Sequence, residues 1–251
     1  MSEPTDQAVP GVIKDTMRQP LPKRFYKTAV AGPIEGGFTV LLDGRAVRTP
    51  KKARLVVSSL ALAEAMAAEW AAQETEIVPA RMPITRLVNT ALDAVTGREA
   101  QVSAEIVQYA GTDLLCYRAN GPAALVERQA KAWDPVLAWA EKWTGGRFIL
   151  AEGIVHVTQP PETLTKLAAK LSDKRALELS ALHVMTTLTG SALLALAHAD
   201  GLLSVEAAWA AAHIDEDYQI EHWGTDFEAE HRRAVRWRDM EAAAKVLGRV
   251  G

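Results

Sequence analysis

The sequence predicts an α+β fold, with a small N-terminal sheet-plus-helix domain followed by a larger, mainly helical domain. Three observations carry that prediction. Short runs rich in Val, Thr and aromatic residues, punctuated by Gly and Pro, fill residues 25–57, the pattern of hairpins rather than helices. After Pro83 the apolar residues recur at helical spacing almost to the end. With 251 residues the chain is long enough to enclose more than one core.

Each element follows in order. Residues 1–22 mix Pro, Gln and charges without an apolar block; they read as a tail, and as neither a secretory signal nor a transit peptide. Strands are expected in FYKTAVA (25–31), GGFTVLLDG (36–44), RAVRT (45–49) and ARLVV (53–57). Asp43-Gly44 accepts the positive φ angles of a type I′ turn, so the second and third runs form a tight hairpin. Ser58 or Ser59 caps a helix running to about Gln73, with Leu60, Ala63, Ala67 and Trp70 on one face. EIVPARMP (76–83) reads as a last extended piece. A boundary near Gly97 divides a two-layer domain, 23–97, from a helical one, 98–251. Helices are expected at Ile84–Val95, Arg98–Ala110, Ala123–Lys142, Glu162–Ser172, Lys174–Ala199, Val205–His222 and Asp226–Leu247, with β-like runs at Asp113–Arg118 and Arg147–Ala151. The Lys174–Ala199 segment carries little charge after Glu178, as expected of a central helix with neighbours all round it.

Composition excludes several functions. A net charge of -3 argues against nucleic-acid binding. One cysteine, Cys116, excludes an intramolecular disulfide and a thiolate metal cluster. It lies in TDLLCYR, which reads as a strand, so it is expected to be a small core residue. No phosphate loop, nucleophile elbow or H-E-x-x-H motif occurs. The hydroxyls of TLTGS (187–191) are expected to bond back to the preceding helical turn.

The densest chemistry lies in HIDEDYQIEHWG, residues 213–224. His213, Asp217 and Glu221 are four apart and share a helical ridge. With His222, Glu228 and His231 they allow a metal-dependent helical-bundle enzyme as an alternative reading, although a bundle di-metal centre needs two Glu-x-x-His motifs and only Glu228–His231 supplies one. Projected on one helix from Val205, Ala208, Trp209, Ala212, Gln219, Ile220 and Trp223 form a stripe with Glu216 at its centre. Asp215, Asp217, Glu221 and His222 point elsewhere, toward solvent. A carboxylate on an apolar stripe needs a partner. That partner is an arginine such as Arg86, Arg118 or Arg128, or else a group on a ligand; the sequence leaves both open.

Seven tryptophans against four phenylalanines tilt the aromatic count. Trp133, Trp139 and Trp143 read first as core packing, with a protein-binding ridge as the rival. Arg232, Arg233, Arg236 and Arg238 read as a solvated face or as partners for the acids before them.

Six blocks in order, LDGRAVRTP (42–50), AEWAAQ (68–73), MPITRL (82–87), TDLLCYR (112–118), WDPVLAWAE (133–141) and IDEDYQIEHWG (214–224), resemble the assembly chaperone family of the ATP synthase catalytic sector, the Atp-twelve family. The resemblance covers Arg24 to Glu230. It implies a non-enzymatic protein without catalytic residues, cofactor or metal. Such a chaperone binds the free alpha subunit and shields its beta-facing surface until the hexamer forms. It implies a protein of the bacterial cytoplasm, or of the mitochondrial matrix in eukaryotic relatives; a monomer is expected because nothing in the sequence suggests a coiled coil or an obligate dimer. The glutamate of the D-E-x-Y-Q block, here Glu216, is the family's functional position. The expected partner-binding set is Glu216, Asp217, Gln219, Trp223, Trp209 and Trp70.

Overall fold

The computed structural model describes residues 20–153 and 156–248; most of the expected tail, residues 1–19, lies outside them. Strands β1 (Ala29–Ile34) and β2 (Gly37–Leu42) pair antiparallel, and β3 (Arg45–Ala46) pairs with β2. Asp43 and Gly44 take φ 47° and 80°, the expected tight turn. The Asp43 carboxylate accepts from the backbone N–H groups of Lys27 and Thr28, which hold its pKa below the usual range and lock the turn to the preceding segment. Gly37 must be glycine: its φ is 150°, and a Cβ would stand 2.3 Å from the Val57 carbonyl oxygen. The fourth expected strand is not one. Leu55 and Val57 turn into the core while Arg54 reaches out to Glu35, leaving only isolated bridges at Arg54 and Val57.

Helix α1 (Leu60–Ala71) starts where Ser59 accepts from the Leu62 N–H. Its buried stripe is Leu62, Ala63, Met66 and Ala67; Leu60, expected on that face, is exposed. Instead of an extended piece, Pro79–Arg81 forms one 3-10 turn. Then α2 (Pro83–Thr90) begins, and its first N–H groups, Ile84 and Thr85, donate to the Glu69 carboxylate at 2.7 and 2.8 Å. A carboxylate at a helix N-terminus answers both the orphan donors and the dipole. α2 continues as a π-helical turn over Ala91–Val95.

The remaining helices are α3 (Glu99–Ala110), α4 (Ala123–Thr144), α5 (Pro161–Leu171), α6 (Ala176–Thr189), α7 (Ala192–Asp200), α8 (Val205–Ala212), α9 (Ile214–Trp223) and α10 (Phe227–Val246). β4 (Tyr117–Arg118) and β5 (Ala151–Glu152) form a two-residue parallel pair. The expected strand Asp113–Arg118 is mostly a 3-10 turn, because the Asp113 side chain accepts from the Leu115 N–H and starts it. Cys116 is fully buried, and burial pushes its thiol up to about 12, so it is an inert core residue.

Two apolar cores result. The larger is built on Trp133, Leu182, Met185, Leu193 and Leu194; the smaller on Val40, Leu55, Met66 and Val88. α2 feeds both, Leu87 and Val95 into the first, Ile84 and Val88 into the second. α10 also feeds both, through Met240 and Ala242. Among the described residues, no helix is long and apolar enough to cross a membrane.

Two expected helices are each broken in two. Lys174–Ala199 stops at Gly190, φ 68°, and restarts at Ser191, which caps α7. The central-helix character survives in α7, buried from Ala192 to His198. Thr187 and Thr189 do bond back to Val184 and Met185, as expected of TLTGS. Val205–His222 breaks at His213, φ −112° and ψ 16°. That second break reorients everything after it.

Candidate functional site

Helix α9 carries the acid-rich stretch, and none of its side chains is buried. It is held against the fold by polar ties. Arg128 of α4 pairs with Glu221 at 2.7 Å and lies 5.4 Å above the Tyr218 ring. The buried Gln129 donates to Asp215 at 2.7 Å. Arg233 of α10 binds Asp217. Each pair shifts as its geometry requires: the guanidinium of Arg128 holds the Glu221 carboxyl low, and Asp217 raises Arg233. The acids expected to face solvent, Asp215, Asp217 and Glu221, are therefore the ones consumed inside the chain.

Glu216 is the reverse. The wheel placed it mid-stripe, but with the helix broken at His213 its side chain is 45% exposed. Arg86, Arg118 and Arg128 are taken by Asp239, Asp134 and Glu221. The group closest to Glu216 in an ion-pair geometry is His213 Nε2 at 3.9 Å. Burial lowers the His213 pKa, so at neutral pH that imidazole is uncharged and gives Glu216 no counter-ion. Arg233 feels the Glu216 charge across this corner but gives its hydrogen bond to Asp217, so Glu216 makes no direct ion pair with an arginine or lysine among the described residues. It lines a shallow cleft with Asp217, Ile220, Ala229, Glu230 and Arg233.

From Glu216 the exposed face continues through Gln219 to Trp223 at i+3 and i+7. Trp223 is 80% exposed. Gly224, φ 79°, ends α9, and Asp226 caps α10 by accepting from the Ala229 N–H at 2.7 Å. That cap sets Phe227 at the first position of α10, 82% exposed and four residues beyond Trp223. An exposed carboxylate and two bare aromatics on one corner suit contact with another protein more than chemistry on a small molecule.

Two members of the expected binding set lie elsewhere. Trp209 is buried, packed 4.0 Å from the His213 ring and 5.4 Å from Trp237, and presents no surface. Trp70 is half-buried near the end of α1, edge-on to Tyr26 at 5.7 Å. Asp217 is at the corner, committed to Arg233. Of the proposed metal ridge, His213 is buried and donates from Nδ1 to the Trp209 carbonyl, and both acids are paired with arginines. Among the described residues, no group of three His, Cys, Asp or Glu side chains is placed to hold a metal. Trp133 is a core residue, donating to the Ala211 carbonyl at 2.8 Å; Trp139 and Trp143 stack at 5.3 Å against the same core. The arginines of α10 serve as partners, Arg232 to Glu228 and Arg233 to Asp217.

Sequence reasoning missed Phe227 and Gln129, and it offered Arg128 to Glu216 where the structure gives it to Glu221. A signal for Phe227 existed: α10 turns Arg233, Trp237 and Met240 inward, and Phe227 sits about 120° around the helix from Arg233. Arg128 and Gln129 lie more than 80 residues from their acids, and no local pattern marks them.

Residues 23–141 match the family described as ATP12 chaperone protein. The chain is 25% identical to the mitochondrial atp12 protein of Schizosaccharomyces pombe, over 92% of this chain and 84% of that protein. The crystal structure of the Atu1473 protein of Agrobacterium tumefaciens superposes with a TM-score of 0.86 at 51% identity, covering 93% of this chain and 88% of the other. Atp12 from Paracoccus denitrificans superposes with a TM-score of 0.83 at 39% identity, covering 92% and 99%. Identity at that level over nearly the whole length, with the fold retained, means that the chain belongs to the ATP12 chaperone family.

Proposed function

We propose that this chain is a non-enzymatic, monomeric assembly chaperone of the bacterial cytoplasm. It holds the free alpha subunit of the ATP synthase catalytic sector and covers its beta-facing surface until the hexamer forms. The contact is the α9–α10 corner. The observation that supports this is the exposure of Trp223 and Phe227 at the α9–α10 junction, with Glu216 two turns back along α9, a carboxylate without a direct arginine or lysine ion pair among the described residues. Bare aromatics on the same corner as an exposed carboxylate match the chemistry of an interface hot spot, where aromatic area supplies affinity and the charge supplies register. A holdase needs no reorganisation to use such a surface, because the cost of exposing it is already part of the folded state.

Co-expression tests it. The wild-type chain is expected to keep recombinant alpha subunit soluble and to co-purify with it. Glu216→Lys and the double variant Trp223→Ser/Phe227→Ser are expected to fold normally and to lose that activity. Folded variants that still hold alpha would remove the corner from the mechanism. A wild-type chain that leaves alpha insoluble would remove alpha as the client.

A further inference from the structure

The second exposed aromatic surface lies on the sheet domain, and its charge is opposite. A cavity of about 620 Å³ opens between the β2–β3 hairpin and α1, with Phe25, Tyr26 and Trp70 on one side and Arg45 and Arg48 on the other. Phe25 is 73% exposed and meets Tyr26 edge-on at 5.4 Å. Tyr26 in turn is buried, its hydroxyl donating to the Trp70 carbonyl at 2.6 Å, so the aromatic wall is rigid. Trp70 Nε1, buried behind that wall, has no acceptor among the described residues.

The cations around this wall are uncompensated. Arg24 sits 4.7 Å over the Tyr26 ring and spends its guanidinium on the carbonyls of Tyr26, Gln73 and Lys27. Arg48 donates to the Lys52 carbonyl, and the Arg45 side chain has no hydrogen-bond partner among the described residues. None of the three forms an ion pair among the described residues. The carboxylate lining the cavity, Asp43, is consumed by the backbone N–H groups of Lys27 and Thr28. β3 spans only Arg45–Ala46 and Arg48 beyond it is already bridged to Arg54, so what this cleft offers is side chains rather than a free sheet edge.

We infer that this cleft is a docking site for an extended protein segment in which carboxylates alternate with apolar residues. Apolar side chains meet Phe25 and Trp70, and the carboxylates take Arg45 and Arg48, whose planar donor forks match them. The protein's overall negative charge disfavours a nucleic acid on the same arginines. The inference does not depend on alpha being the client, because it rests on a different surface from the α9–α10 corner.

The test uses the full chain and short fluorescent peptides alternating Glu with Leu, Lys with Leu, or Ser with Leu. The Glu/Leu peptide is expected to bind about tenfold or more tightly than the Ser/Leu one, with affinity falling as salt rises. Arg45→Glu/Arg48→Glu is expected to abolish that preference, the milder Arg45→Gln/Arg48→Gln to weaken it, and Glu216→Lys to leave it unchanged. In a 15N-labelled sample the Trp70 indole N–H resonance, assigned with Trp70→Phe, is expected to shift on titration. Equal binding of the Glu/Leu and Ser/Leu peptides would overturn the inference, as would full binding by the folded Glu variant. A single-stranded oligonucleotide that binds the cleft and displaces the peptide would do so too. Loss of alpha binding in Glu216→Lys with no acidic-peptide preference would sink this inference and leave the proposed function standing.

Discussion

Two helix breaks, one at Gly190–Ser191 and one at His213, look alike in outline and differ in every physical detail. The first is in the core. Asp113, fully buried, accepts from Ser191 Oγ at 2.6 Å, from the Leu193 N–H at 3.0 Å and from the Leu115 N–H at 3.2 Å. Ser191 Oγ then accepts from the Leu194 N–H, and the Gly190 carbonyl accepts from the Leu114 N–H. The second break has no side-chain cap on α9 and delivers a helix with no buried residue. Its polar ties run to α4 and α10 through side chains that are largely half-exposed. One break builds the core; the other mounts a surface. A chaperone needs both, since the corner can stay apolar only if stability comes from somewhere else.

The comparison breaks most readily at Asp113. Asp113→Ala leaves three donors without acceptors in the core, at about 1–3 kcal/mol each before relaxation. A loss of roughly 3 kcal/mol or more is expected, read as a fall in urea midpoint at unchanged slope. Asp113→Asn keeps one acceptor oxygen and should cost less. Burial lifts the Asp113 carboxyl to about 6 against the pull of its hydrogen bonds, well above its ordinary range. The native state therefore binds this proton more readily than the unfolded one. Stability from the group is fully present below about pH 4 and is lost as pH rises through about 6. The advantage of wild type over the non-titrating Asp113→Asn should accordingly shrink between pH 4 and 7 in denaturant titrations. A constant or growing advantage would show that the hydrogen bonds outweigh burial.

Gly190→Ala probes the same break more gently. A Cβ there meets nothing within 4 Å, so the cost is only that of holding an L-residue at φ 68°, about 1–2 kcal/mol. A larger loss in thermal or urea unfolding would mean that the junction cannot accommodate even the added methyl group.

How much of this was legible depended on how local the cause was. The Asp43-Gly44 turn, the Ser59 cap and α3 were readable because each is decided by residues within a few positions of one another. Gly190 was visible as a glycine, but the Asp113 carboxylate that anchors the adjacent cap, Ser191, lies 78 residues upstream. His213 carried no signal at all, since Ala210, Ala211 and Ala212 favour a continuous helix. Here the cause is tertiary. The Trp133 indole takes the Ala211 carbonyl, which an unbroken helix would offer to Asp215, and the His213 ring takes the Trp209 carbonyl, which it would offer to the His213 N–H. A helical wheel carried across that break put Glu216 in an apolar stripe and its neighbours in water, and the structure exchanges them. The list of acids survived while their roles were reversed.

At the outer break the expected effects are local. Arg128→Ala removes an ion pair whose two side chains are 45% and 51% exposed, so global stability should change by less than about 1 kcal/mol. What should change is the opening of α9: its amides should exchange faster with deuterium while those of α6 and α7 keep their protection. Equal acceleration in all three helices would mean that the corner and the core form one cooperative unit.

The smallest expected stability effect is at the exposed tip. Trp223 and Phe227 pack on little of their own chain, so Trp223→Ser/Phe227→Ser should move the unfolding free energy by no more than about 0.5 kcal/mol. Two large aromatics with almost no bearing on the fold are unusual on a protein surface. If their removal leaves stability unchanged and abolishes retention of the client, the division between a core break that supplies stability and a surface break that supplies contact is sharpened. If the double variant instead unfolds at markedly lower urea, these rings support the fold, and the corner is a structural buttress rather than a docking surface.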